Sequence, residues 1–337
     1  MFKKIKLFNF RKNIGKSFTI IAFCALLNAC KNDLEVNAPH KETIVVFGLL
    51  DPSQSKQYIK VNRAFITNNQ SVKEVAQIAD SVYFSSIEVT LLEELTNTTT
   101  ILTPENIPNK NSGIFLNQPN ILYTTNLPIK TNSRYFIKVK DNKTGIEANA
   151  VAIIAGSPFI NGPITNFSTD FSLSNGPNGG INIDFVPGIN TANYDVIMDF
   201  EYVEYDKFDT LNKFNKTITW KILKNVSPKA TFRFSNNISR ELFYDLLTSQ
   251  IAPRKDWIRQ AKSFQFSFIG ATQELVNYIS VSTPSIGIVQ KQTDYTNINN
   301  GAGIFASRNI FLTKKVPPSG QTSFLLSNSP KTSAIGF

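Results

Sequence analysis

Thiols and imidazoles are nearly absent from this chain. Its 337 residues include two cysteines, Cys24 and Cys30, and one histidine, His40. A Ser-His-Asp triad or a histidine-ligated metal centre would have to be assembled around His40, which sits in a polar stretch near the N-terminus, so neither is expected. No Walker-type phosphate loop occurs, and no G-x-G-x-x-G follows a strand, so no metal and no cofactor are expected. Long hydrophobic runs are missing as well. Phe18 to Leu27 (FTIIAFCALL) is about half of the roughly 20 residues that a membrane-crossing helix needs. Acidic charge is in deficit, with 25 Asp and Glu against 35 Lys and Arg, a net charge of +10. Six of those cations (Lys3, Lys4, Lys6, Arg11, Lys12 and Lys16) precede the apolar run, and the net charge falls to +4 once they are set aside. The remaining excess is scattered, with no basic run interleaved with aromatics, so nucleic acid is not an expected partner. Chemistry carried by carboxylates alone stays open.

What is present begins at the N-terminus. A cationic segment followed by a short apolar run has the form of a secretory signal. It ends in Leu27-Asn28-Ala29-Cys30, which resembles a bacterial lipobox: a branched apolar residue, a small residue and the acceptor cysteine. That resemblance implies cleavage before Cys30 and acylation of its thiol and of the new amino terminus, with palmitate-type chains. Residues 1–29 then form a lipoprotein signal peptide, and Cys30 is the lipid attachment site. Several acyl chains anchor a protein stably where one does so marginally. Cys24 leaves with the signal, so no thiol remains for a disulfide or a nucleophile. Lys31, Asp33 and Glu35 directly follow. They resemble the tag that sends lipoproteins of Bacteroidota-type bacteria to the outer face of the outer membrane; the alternative is a solvated linker. The expected location is the outer membrane, lipid-anchored and facing the cell surface.

Beyond a tether at residues 30–42, the chain reads as mainly β. Thr43 to Leu50 is β-branched and stops at Asp51-Pro52, a turn pair. Gln57 to Ile66 alternates in polarity, with Arg63 unexpected on the apolar side. Ser71 to about Asp80 has a capping box and helical spacing. Strands are expected at Ser86 to Glu93, Ile114 to Leu116 and Ile121 to Asn126, with a polar loop around Pro104 and Pro108. A hairpin is expected from Arg134 to Ala155 around Asp141 to Gly145. Residues 43–156 therefore read as an immunoglobulin-like or fibronectin-like β-sandwich without its disulfide, bounded at Gly156-Ser157-Pro158. Residues 157–313 read as a second β-sandwich: strands at Ile181 to Val186, Tyr194 to Tyr205, Thr217 to Leu223, Phe264 to Ile269 and Glu274 to Val281. A helical insertion over about 239–260 interrupts them. Residues 314–337, with Pro317-Pro318 and many serines, are expected to be irregular.

Candidate ligand contacts fall in the second domain. Asp199, Glu201, Glu204, Asp206 and Asp209 form the densest carboxylate group. They read either as a cation or acid/base site, or as solvated acids on the outer face of a strand. No Asp-x-Asp-x-Asp-Gly loop accompanies them. Trp220 and Trp257 read as stacking platforms for a sugar or as core residues. Phe337 ends the chain in an aromatic residue, but Pro330 and the lack of alternation before it set a membrane-barrel strand aside.

Three segments carry a wider resemblance: Phe47 to Asp51 (FGLLD), Ile59 to Phe65 (IKVNRAF) and Tyr295 to Phe305 (YTNINNGAGIF). In the last, two glycines near two asparagines imply a backbone that leaves the β region and is capped by side chains. Together, over residues 43 to about 310, they resemble a family of Bacteroidota outer-membrane lipoproteins that carry a domain of unknown function. The resemblance implies a compartment and a partner class, an outer-membrane TonB-dependent barrel transporter, and no reaction or ligand. The expected role is a non-enzymatic accessory or binding subunit. A glycan-binding or carbohydrate-acting lipoprotein and a structural or adhesive envelope protein are the alternatives.

Overall fold

A computed structural model describes residues 42–65, 71–108, 110–174, 179–228, 232–282 and 295–337. Cys30, Lys31, Asp33 and Glu35 lie outside the described residues, as do the expected signal peptide and nearly all of the tether. The first strands follow directly from the sequence pattern. β1 (Ile44–Leu50) and β2 (Gln57–Arg63) pair antiparallel, and alternate residues Ile44, Val46, Ile59 and Val61 point into a core. Asp51 ends β1 by accepting hydrogen bonds from the Ser53 amide and from Arg308 Nε at 3.1 Å. Arg63 pairs with Glu42 and lies over the Phe84 ring, which accounts for an arginine on the apolar side.

The remaining elements are α1 (Val72–Val75), α2 (Ala79–Val82), β3 (Ile87–Glu93), β4 (Thr98–Ile101), β5 (Thr103–Asn106), β6 (Ile121–Thr125), β7 (Arg134–Asp141) and β8 (Glu147–Ile153). After them come β9 (Phe159–Gly162), β10 (Gly180–Val186), β11 (Asn193–Asp206), β12 (Asp209–Val226), β13 (Phe234–Ser239), α3 (Arg240–Gln250) and β14 (Trp257–Ala271). The chain closes with α4 (Gln273–Ser282), β15 (Gly301–Leu312), α5 (Gly320–Asn328) and α6 (Pro330–Ser333). The protein is mainly β with sandwich packing, and among the described residues no sheet closes into a barrel. Eight strands form one sheet in the order β12-β11-β14-β15-β1-β2-β6-β5. Two smaller sheets, β4-β3-β7-β8 and β13-β10-β9, pack against it.

Two hydrophobic cores result. The first joins Ile44, Val46, Ile59 and Val61 of the large sheet to Val89, Leu91, Tyr135, Ile137 and Val139. The second is rich in phenylalanine: Phe200, Phe264, Phe266 and Phe268 meet Phe171, Phe185 and Phe243, with Phe171 and Phe264 ring centroids 4.2 Å apart. Both cores are built from residues between Ile44 and Ile335. They divide near the expected boundary at Gly156, yet the large sheet runs unbroken across it, because β15 pairs parallel with β1 and antiparallel with β14. On β15 the odd-numbered residues face the cores: Phe305 enters the first and Phe311 packs on the second. Between them Ser307 and Asn309 are buried. Ser307 Oγ accepts from the Ala155 amide at 2.7 Å and donates to the Ile153 carbonyl, while Asn309 Nδ2 donates to the Ala155 carbonyl at 3.1 Å. The crossing between the two small sheets is thus pinned to the shared one by polar side chains that satisfy its backbone.

Several expectations are corrected. The helix expected over about 239–260 ends at Gln250, because Pro253 disfavours helical backbone just before it, and Trp257 already begins β14. Glu274 to Val281 is helix α4, with the Tyr278 ring edge on Phe47. Ile114 to Leu116 form no strand, whereas Pro104 lies within β5, which tolerates proline because it is the outer edge of the large sheet. The C-terminal segment is ordered. Ser319 caps α5, Thr322 Oγ1 donates to the Phe171 carbonyl, Ile335 is buried, and the Phe337 ring packs on Phe200 and Tyr202.

Candidate functional site

β11 sits between β12 and β14 along its whole length and carries most of the acidic group. Strand alternation separates these carboxylates. Phe200, Tyr202 and Glu204 point to one face, Asp199 and Glu201 to the other. On the open face Asp199 accepts from Thr219 Oγ1 at 2.6 Å. Glu201 accepts from Ser263 Oγ at 2.7 Å and pairs with Lys315 at 2.6 Å. Lys315 first, and then Ser263, hold the Glu201 carboxyl below the usual carboxylate range. This is the opposite direction to the one a general acid needs.

Glu204 is buried against Arg259, whose Nε lies 3.1 Å from Oε2 and whose guanidinium also donates to the Ile335 carbonyl. It serves as the counter-ion that lets an arginine brace the C-terminal segment. Asp206 accepts from the Phe208 amide, and Asp209 from Asn212 Nδ2, both local turn contacts. The five acids therefore do not converge. Among the described residues no cluster of three or more His, Cys, Asp or Glu side chains has the arrangement of a metal site.

The two tryptophans are far apart on the sheet. Trp220 pairs opposite Met198, and Trp257 opposite Asp206, a separation of roughly 27 Å along β11. Trp220 is half-buried on the second core and stacks on Phe243 at 6.1 Å. Trp257 is also half-buried, stacked with Phe214 at 6.1 Å and overlain by the Arg254 guanidinium at 4.4 Å. Its ring already has an aromatic neighbour and a cation, so it offers no free platform to a sugar.

Around Trp257 the structure assembles a group that the motif reading missed. The β11–β12 turn brings Lys207 and Phe208 beside the loop before β14, where the Lys207 amide donates to the Asp256 carbonyl at 2.8 Å. Phe208 is 80% exposed and Leu211 is 92% exposed. The available signal was a phenylalanine and a leucine in a polar turn, Asp206-Lys207-Phe208-Asp209-Thr210-Leu211, where apolar residues are unusual. The segments that carry the family resemblance lie side by side instead, as β15, β1 and β2. Within the first, Asn300 has φ 56° and Gly303 φ 104°, and Asn297 exchanges two hydrogen bonds with the Phe305 backbone.

No protein-family model matches the sequence, and no curated protein matches it.

Proposed function

We propose that this chain is a surface-facing outer-membrane lipoprotein, a non-enzymatic accessory or binding subunit that works beside a TonB-dependent barrel transporter. The observation that carries the reading is Leu27-Asn28-Ala29-Cys30 at the end of a short apolar run behind six cations. Support for a binding role rather than a catalytic one comes from the acids. Asp199 and Glu201 face away from Glu204, and Glu201 is held in its charged form by Lys315. The two cores on one continuous sheet make a rigid support suited to holding a partner at a fixed distance from the membrane.

The test has three readouts in intact cells. The wild-type protein takes up acyl label, is digested by external protease, and brings down an outer-membrane barrel after crosslinking. Cys30→Ser loses the label and with it the acyl anchor while keeping its fold, because Cys30 precedes the first core residue, Ile44, by more than a dozen positions. Asp33→Ala with Glu35→Ala keeps the label and becomes protected from protease until the outer membrane is opened. Acyl label on Cys30→Ser would remove the lipoprotein reading, full digestion of the double variant would remove the export tag, and the absence of any crosslinked barrel would remove the transporter role.

A further inference from the structure

We propose that the end of the large sheet formed by the β11–β12 turn and the loop before β14 is a membrane-contact site for an anionic lipid surface. The site is independent of Cys30. From Asp209 to Thr217 both faces of β12 are exposed, so this end has no facing wall that encloses a small ligand. Phe208 and Leu211 stand almost fully in water and Phe214 is 50% exposed, a concentration of apolar area that marks a contact surface.

Cations accompany the rings. Lys207 Nζ lies 4.7 Å from the Phe208 ring centre, Lys213 Nζ 5.0 Å from that of Tyr205, and the Arg254 guanidinium 4.4 Å from that of Trp257. A bilayer interface suits this pairing, since aromatic rings settle at the acyl boundary while long cationic side chains reach back to the phosphates. The charge has the matching sign. Lys207 pairs with Asp256, and Asp206 and Asp209 are turned into their own hairpin. Lys216 pairs with Glu204 at 4.0 Å, and the remaining Lys213, Arg254 and Lys255 outnumber those two acids.

The position within the fold gives the contact a purpose. Ile44 pairs with Gly301, Leu312 with Ser267, and β14 runs back from there to Trp257. Roughly 70 Å of strand rise therefore separates the point where the chain enters β1 from the aromatic end. On the reading of Cys30 proposed above, this second contact restricts how the sheet turns against the membrane, which a tethered acyl anchor alone does not do.

The experiment uses Glu42–Phe337, which contains both cores entire and lacks Cys30, so its outcome bears on this site alone. The fragment is sedimented with vesicles of equal parts phosphatidylglycerol and phosphatidylcholine, and with phosphatidylcholine alone. The expected result is co-sedimentation with the anionic vesicles, weakened by salt, and little with the neutral ones. Phe208→Ser with Leu211→Ser lowers the partition coefficient about tenfold or more, and Lys213→Glu with Lys255→Glu removes the preference for phosphatidylglycerol. If the double serine variant does not fold, Leu211→Ser alone is compared, together with quenching of Trp257 fluorescence by brominated acyl chains in a Trp220→Phe background. The proposal is overturned if the fragment stays in the supernatant with anionic vesicles, or if the serine variants sediment like wild type. Loss of a dimer, or of a co-purifying barrel, on Phe208→Ser with Leu211→Ser without any vesicle binding would assign the surface to a protein partner and equally overturn it.

Discussion

Among the described residues no carboxylate pairs with Lys60. On β2 its Nζ donates to Tyr83 Oη at 2.8 Å and to Asn120 Oδ1 at 2.9 Å, and it lies over the Tyr83 ring. Burial brings its pKa down from 10.5 to about 8. The folded protein thus binds this proton less tightly than the unfolded chain, so the charged amine costs stability at neutral pH. That cost is relieved between about 8 and 10.5, where the folded amine has lost its proton and the unfolded one has not. Urea titrations of wild type and Lys60→Met across this range should show the wild type gaining on the variant as pH rises; a constant difference would mean that the amine titrates normally. The same amine should react with acylating reagents at pH 8 ahead of the exposed lysines. Residues of this kind are poorly visible in sequence. Lys60 reads as an ordinary outward position of an alternating strand, and its partners come from segments 23 and 60 residues away.

Among the elements, β15 depends most on single residues. Gly303 lies opposite Val46 with φ 104°, and a Cβ there would come within 2.0 Å of the Val46 carbonyl oxygen. Gly303→Ala should therefore cost about 2 kcal/mol or more through backbone strain and the clash, read as a lowered urea midpoint; an unchanged midpoint would show that β1 and β15 can part locally at no cost. The departure from β geometry was legible in the Asn- and Gly-rich run of 297–303, because few other residues tolerate positive φ. Strands with one buried face, such as β2, β7 and β11, were legible from alternation. Helix α4 was misread: Leu275, Val276, Tyr278 and Ile279 have helical spacing, but the β-branched content of Val276, Ile279 and Val281 favours a strand. At the candidate site, alternation already separated Asp199 and Glu201 from Phe200 and Tyr202. Their neutralisation was not legible, since Ser263 and Lys315 stand 62 and 114 residues from Glu201.

On the scale of the whole molecule, two cores share one sheet, and that predicts how it comes apart. Trp220 and Trp257 both report on the second half of the chain, whereas far-ultraviolet dichroism reports on every strand. Their denaturation midpoints should coincide, because loss of β14 or β15 exposes one side of the other core. Ser307→Ala with Asn309→Ala, which strands the buried Ala155 backbone groups, should lower that common midpoint; separate transitions in the wild type would mean that each core holds its part of the sheet alone. The return of β15 to pair with β1 was not legible in the sequence, since about 250 residues separate the partners. The same pairing determines how the fold bears load. A pull on the chain ahead of Glu42, directed along the strand, enters at Ile44, which lies in register with Gly301 on one side and with Arg63 on the other. Both ladders then resist in shear, many hydrogen bonds at once rather than one after another. Tension on the N-terminal segment is thereby carried by the middle of the largest sheet, between its two cores, and not by a strand that can be peeled from an edge.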